Sequence, residues 1–240
     1  MSSTSSRSPD FEALFDAALA NYSRQTGQRL VDHPLTAMLD QCNTPDAILA
    51  ILERQAQGFD GFWNGDPSLI KWLRPVVNGM CALANNSVLC TGATSSLAFP
   101  APNAIFSGIG VLLSCVRERY DALVDIFEWI ENLVRRLRIH TEIPFTPSTI
   151  ELLVKIMSEL LSVLALATKQ INQGRLEKKY AKKWLGGRDI ESALQRLDRL
   201  TLEESRTTAA QTLDVVYGLV KNMVVIMEGA YHLPVRLSPA

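Results

Sequence analysis

The sequence predicts an all-α protein, a multi-helix bundle of long antiparallel amphipathic helices with no sheet. Three observations predict this fold class. Apolar residues recur at alternating spacings of three and four through much of the chain. Capping residues, Pro and Gly mark the ends of these segments. No segment shows the sustained alternation of apolar and polar residues that a half-buried strand requires. At 240 residues and 47% hydrophobic content, the chain is long and apolar enough to bury a substantial core.

The helices of the first half are predicted from their start signals, because Ser, Thr and Pro favour the first positions of a helix. The expected starts are Ser8-Pro9, Pro34, Thr44-Pro45 and the neighbourhood of Pro67. Gly27 is expected to close the first helix. The stretch from Asn85 to Pro102 is rich in Asn, Ser, Thr, Gly and Pro, and we expect a long loop there.

Three longer helices are predicted in the second half, each with an apolar stripe. The stripes are Leu123, Ile126, Ile130, Leu133 and Leu137; then Ile150, Leu153, Met157, Leu160, Leu164, Ala167 and Ile171; and finally Leu213, Val216, Val220, Met223 and Met227. Thr201 and Glu204 have the spacing of a capping box before the last helix. Stripes this regular either pack together within one bundle or leave one seam open for a second copy or a partner helix.

No charged residue and no His occurs between Pro75 and Val116. Such a run is either the buried centre of a fold or a segment that meets a membrane. Its most apolar part, Ile105 to Val116, is shorter than the roughly 17–25 residues that a spanning helix needs. We therefore expect a buried central helix, with membrane exposure only as an activation-dependent event.

Composition narrows the class of protein. The net charge of -1 and a pI near 6.3 argue against a nucleic-acid partner. The polar, Ser-rich N-terminus lacks the apolar core of a secretory signal, so a cytoplasmic protein is expected. The four cysteines show no metal-ligand spacing and are expected to be buried, reduced thiols: Cys42, Cys81, Cys90 and Cys115.

Motifs that carry chemistry do not appear in the sequence. There is no GxxxxGK[ST] phosphate loop, no GxSxG and no HExxH. The three histidines are scattered, at His33, His140 and His232, and His33-Pro34 is typical of a helix start. We therefore expect no enzyme activity, no metal and no cofactor.

One basic segment stands out between Arg175 and Arg188. Its apolar residues recur every four positions while lysines occupy the other faces. Such a helix lies on an anionic membrane surface or an anionic partner, contacts nucleic acid, or is a solvated connector whose apolar residues dock on the bundle. The candidate lipid or partner contacts are Arg175, Lys178, Lys179, Lys182, Lys183 and Trp184.

Five ordered blocks resemble the fungal Goodbye domain, which is found at the N-terminus of STAND-type, NOD-like receptor proteins. The blocks are Phe11–Leu35, Cys42–Leu52, Phe99–Ser114, Tyr120–Leu137 and Thr141–Pro147. The part after Thr146 resembles the segment that follows in such receptors. The expected organisation is a disordered tail at 1–8, a Goodbye-like helical region at 9–145, a continuing long-helix region of the same bundle at 146–229, and a C-terminal tail at 230–240.

The resemblance implies a non-enzymatic adaptor or effector module that acts when its receptor oligomerises. It further implies a role in innate immunity or programmed cell death, with a NACHT-type NTPase in the parent protein or further copies of the module as partners. The 240 residues contain no NTPase motif, so we expect either an excised domain or a naturally short version. The alternative function is a membrane-active bundle that binds anionic lipid and permeabilises membranes on activation.

Overall fold

A computed structural model describes residues 11–56, 68–91, 101–116, 121–137, 147–173 and 188–230. Within these ranges the chain forms eight α-helices and no strand, which confirms the all-α prediction. The helices are α1 (Phe11–Thr26), α2 (Pro34–Asp40), α3 (Pro45–Ala56), α4 (Ser68–Thr91), α5 (Ala101–Cys115), α6 (Asp121–Leu137), α7 (Pro147–Asn172) and α8 (Arg188–Ala230). The chain divides into two compact units, Met1–Thr201 and Leu202–Ala240.

Helices α2 and α3 begin at the predicted signals, and α1 ends before Gly27 as predicted. The predicted start of α1 at Ser8-Pro9 lies outside the described residues. His33 caps α2, where its Nδ1 accepts a hydrogen bond of 3.2 Å from the backbone N–H of Leu35. Thr44 caps α3, where its hydroxyl oxygen accepts a bond of 3.2 Å from the N–H of Ala47. Gly27 follows α1 with a φ of 73°, a conformation that residues with a side chain rarely adopt. These local interactions explain why the sequence predicted the positions of α1, α2 and α3.

Helix α5 is the centre of the first unit, where it packs against α2, α3, α4 and α7. A helix that is apolar on every side has to be covered on every side. Its large side chains are at most 1% exposed: Ile105, Phe106, Ile109, Leu112 and Leu113. This confirms the expectation of a buried central helix for residues 104–113 of the uncharged run. Around this centre, α1 packs on α7 and α4 packs on α6.

The contact between α5 and α2 is close at one position. A Cβ atom at Gly110 would overlap Cδ2 of Leu35, so any side chain there would require the Leu35 methyl group to move. Beside it, the hydroxyl groups of Thr36 and the fully buried Ser107 share a hydrogen bond of 2.7 Å. The polar group inside the central helix is thus paired, as buried polar groups generally are.

The predicted loop from Asn85 to Pro102 is wrong at both ends. Helix α4 continues through Asn85 to Thr91, and α5 begins at Ala101, while residues 92–100 lie outside the described part. Asn and Ser disfavour a helix by less than about 0.7 kcal/mol each, so a helix that is already formed continues through them at small cost.

The predicted capping box at Thr201 and Glu204 is also wrong, because α8 begins at Arg188 and both residues lie inside it. The Thr201 side chain is buried, and its hydroxyl donates a hydrogen bond of 2.8 Å to the carbonyl of Leu197 in the preceding turn. The first turns of α8 also form an ion pair with α7, with 2.6 Å between Nη2 of Arg196 and Oε1 of Glu159.

Tyr22 of α1 is a buried residue with a polar hydroxyl group. It is fully buried between α1 and its neighbours, and its phenol oxygen has no hydrogen-bond partner among the described residues. The nearby Thr168 hydroxyl donates to the Leu164 carbonyl at 2.8 Å instead. Burial raises the pKa of the Tyr22 phenol far above its ordinary value, because ionisation would place an unsolvated charge in the core.

Candidate interaction surface

The exposed apolar side chains of this protein concentrate on α8. In the described part of the chain, eleven large apolar residues are exposed, and eight of them lie on α8 from Leu202 onward. Those eight are Leu202, Leu213, Val215, Val216, Tyr217, Leu219, Val220 and Met223. Single exposed apolar residues are ordinary on a protein surface, but a contiguous group of them marks an interaction site.

Four of these residues form the stripe that the sequence predicted. Leu213, Val216, Val220 and Met223 are 69%, 49%, 53% and 61% exposed. Their steps of three, four and three residues place them on one side of the helix. The fifth predicted member, Met227, has a side chain outside the described part. We call these four residues, together with Tyr217 and Leu219, the α8 face.

The α8 face is wider than the predicted stripe. At about 100° per residue, Tyr217 and Leu219 lie roughly 80° to either side of the stripe's centre. They are 72% and 59% exposed. A single line of positions at steps of three and four does not include these two residues, although a helical wheel of the same segment reveals them. An apolar arc this wide is typical of a helix that packs against other helices.

The matching stripes of α6 and α7 are closed, in contrast to the α8 face. Ile126, Ile130, Leu133 and Leu137 of α6 are at most 3% exposed. The stripe of α7 from Leu153 to Ile171 is likewise buried. Of the two interpretations left open by the sequence, packing within the bundle therefore holds for α6 and α7, and an open seam holds for α8.

Polar groups on this part of α8 leave the apolar face undisturbed. The hydroxyls of Thr207 and Thr212 each donate a hydrogen bond of 2.9 Å to a carbonyl of the preceding turn of the same helix. Lys221 and Asn222 are exposed on the side of the helix away from the face. Arg206 is exposed and lies seven residues before Leu213. Because residues seven apart lie on nearly the same side of a helix, Arg206 is a charged residue on the line of the stripe.

The described residues contain no group of three or more His, Cys, Asp and Glu side chains that is arranged to hold a metal ion. Among them, Cys42, Cys81 and Cys115 are free, half-buried thiols, and burial raises the pKa of Cys81. In the same ranges, no helix combines the length and the apolar character that crossing a membrane requires.

The basic site predicted from the sequence lies outside the described residues. Its members, between Arg175 and Trp184, all fall in the range 174–187, which the structure does not describe. Their role in lipid or partner contact stays a prediction.

Comparison with known proteins identifies a family for the first part of the chain. The family model of the fungal STAND N-terminal Goodbye domain matches residues 15–140, which is more than half of the 240 residues. The match covers α2 to α6 and most of α1, whereas α7 and α8 lie beyond it. Neither a curated protein nor a solved structure matches the chain.

Proposed function

Since this chain belongs to the fungal STAND N-terminal Goodbye domain family, we propose that it is a non-enzymatic signalling module that acts by homotypic helical association. In this proposal the α8 face binds the same face of further copies. The module serves innate immunity or programmed cell death in the cytoplasm, downstream of a NACHT-type NTPase in the parent protein.

The exposed α8 face is the observation that supports this proposal. Its six side chains are between 49% and 72% exposed, whereas the equivalent stripes of α6 and α7 are buried. Removing apolar surface from water drives association without any catalytic group. Because both partners present the same surface, a homotypic contact requires no second protein.

Clustering of the parent protein explains how such a face would be controlled. Holding copies side by side raises their effective concentration to the millimolar range, so a face of modest affinity becomes occupied. The free module then stays largely dissociated, and association reports that the receptor has assembled. This matches the role of a module at the N-terminus of a STAND protein.

The test is the mass of the purified chain, measured by light scattering and sedimentation over two decades of concentration. We expect reversible oligomers, and stronger association when the chain is fused to a forced oligomeriser. Val220→Glu places a charge in the α8 face and is expected to abolish association. Asn222→Glu is the matched control, because it adds the same charge to the same helix away from the face. A chain that stays monomeric at high concentration and in the fusion would contradict the proposal.

The same proteins also test the membrane-active alternative, since a bilayer is another apolar environment for the α8 face. Vesicles containing anionic lipid are mixed with the wild type, with Val220→Glu and with a charge reversal at Lys178, Lys179, Lys182 and Lys183. The wild type could cause vesicle leakage that both variants lose, while the chain stays monomeric in solution. That result would favour membrane action over homotypic association. Without leakage or lipid binding, that alternative is rejected.

A further inference from the structure

We propose that two copies of this chain pair their α8 helices antiparallel, about a twofold axis that crosses the seam at the level of position 218. In this pair, Leu213 of one copy packs against Met223 of the other, and Val216 packs against Val220. The inference rests on the self-association proposed above, and it adds the direction and the register of the contact.

The spacing of the stripe is symmetric, which is what an antiparallel pair of identical helices needs. The steps from Leu213 to Val216, to Val220 and to Met223 are three, four and three residues, and they read the same in both directions. Reversing a copy about position 218 therefore places each of these four residues opposite another of the four. A twofold contact is self-complementary in this way.

The residues at the two edges of the α8 face also contact each other across that axis. Tyr217 and Leu219 each lie one residue from Gly218, on opposite edges of the stripe. In an antiparallel pair, each edge of one helix runs beside the same edge of the other. Tyr217 thus meets Tyr217 of the second copy on one side, and Leu219 meets Leu219 on the other, so apolar contact covers the seam from both sides.

Arg206 favours the antiparallel direction over a parallel pair in register. In a parallel pair, the two Arg206 side chains would face each other across helices whose axes are about 8–10 Å apart. In the antiparallel pair, they lie 24 positions apart along the seam, or about 36 Å at 1.5 Å per residue. That distance is several times the Debye length of about 8 Å at physiological ionic strength, so their repulsion is screened.

The size of the α8 face suits a reversible pair. Six side chains that each lose on the order of 100 Å² bury about 600 Å² per copy, or roughly 1,200 Å² in total, at the lower limit for specific interfaces. A contact of this size fits a module that associates when copies are brought together and dissociates when they are not.

Disulfide trapping tests the register, because a disulfide requires Cα atoms closer than about 7 Å. Val216→Cys and Val220→Cys proteins are oxidised alone and as an equal mixture, and the linked peptides are identified by mass spectrometry. The wild type controls for the native cysteines. We expect the 216–220 disulfide in the mixture to exceed either homodisulfide by about tenfold, since only unlike positions face each other. Predominant homodisulfides would overturn the antiparallel pair.

Charge exchange provides a second, independent test in solution. Leu213→Glu and Met223→Arg are each expected to weaken association, because each places an unpaired charge in the seam. The double variant should recover association, because every Glu then faces an Arg of the second copy. In a parallel pair the double variant would place like charges together and stay dissociated, which would refute the register. If the wild type itself is monomeric, the proposed function fails and not merely the register.

Discussion

The same substitution at two leucines measures whether the α8 face is exposed in the folded chain. Leu112 is 0% exposed in the middle of α5, whereas Leu213 is 69% exposed on α8. Truncation of a buried Leu to Ala typically costs about 2–5 kcal/mol of the free energy of unfolding. Helices surround α5 on several sides and limit collapse into the cavity, so Leu112→Ala should cost about 3–5 kcal/mol.

Leu213→Ala should have a far smaller effect on the dilute protein. About a third of this side chain is covered, so the lost burial is on the order of 0.5–1 kcal/mol. The slightly better helix propensity of Ala offsets part of that loss. We therefore expect Leu213→Ala to change the free energy of unfolding by no more than about 0.5 kcal/mol, the usual range for surface substitutions.

Urea unfolding followed by circular dichroism provides the assay, at a dilute and at a tenfold higher protein concentration. At the higher concentration, self-association should stabilise the wild type and Leu112→Ala but not Leu213→Ala. If Leu213→Ala is as destabilising as Leu112→Ala at the dilute concentration, then Leu213 is buried within the chain. The exposed face, and with it the proposed association, would then be wrong.

Three further substitutions examine the packing of the first unit. Tyr22→Phe should leave stability nearly unchanged at neutral pH, because the hydroxyl has no hydrogen-bond partner to lose. The raised pKa of Tyr22 means that the unfolded state ionises first above about pH 10, so wild-type stability falls there by about 1.4 kcal/mol per pH unit from this group alone. Between pH 10 and pH 11, urea titrations should show Tyr22→Phe gaining about 1 kcal/mol over the wild type, because the unfolded phenol is only half ionised at pH 10. Parallel curves would contradict burial of the phenol. Gly79→Ala should cost about 1–2 kcal/mol net in the same assay, since the new Cβ would overlap the stiff side chain of Val134. Gly110→Ala should cost less because the Leu35 methyl that it meets can rotate away, and equal losses would argue against this account.

The parts of the fold that could be predicted from sequence are those fixed by local interactions. Thr44 and His33 cap their helices with their own side-chain atoms, so the positions of α3 and α2 follow from neighbouring residues. The Thr201 and Glu204 pair shows the limit of the same method. Its spacing is that of a cap, but burial places both residues inside α8, where Thr201 donates to the turn before it.

The sequence shows the three apolar stripes, but it does not show which of them is exposed in the folded chain. The stripes of α6, α7 and α8 have the same spacing of three and four, so periodicity alone ranks them equally. What distinguishes them is whether another helix covers the stripe, and that depends on contacts between residues far apart in sequence. Ile130 is 0% exposed and Val220 is 53% exposed, although both belong to regular apolar stripes.

Hydropathy alone would select α5, a buried helix, as the site of an apolar contact with a partner. Helix α5 has no charged residue and is the obvious candidate for an apolar contact, yet Ile105, Ile109 and Leu112 are fully buried. Releasing five such side chains into water would cost about 8–15 kcal/mol at 1.5–3 kcal/mol each. That cost is comparable to the whole stability of about 5–15 kcal/mol expected for a folded protein. The α8 face is already in water, so association through it requires no unfolding of the first unit. A mechanism that releases α5 would need an additional source of free energy, and the proposed association through α8 needs only a second copy.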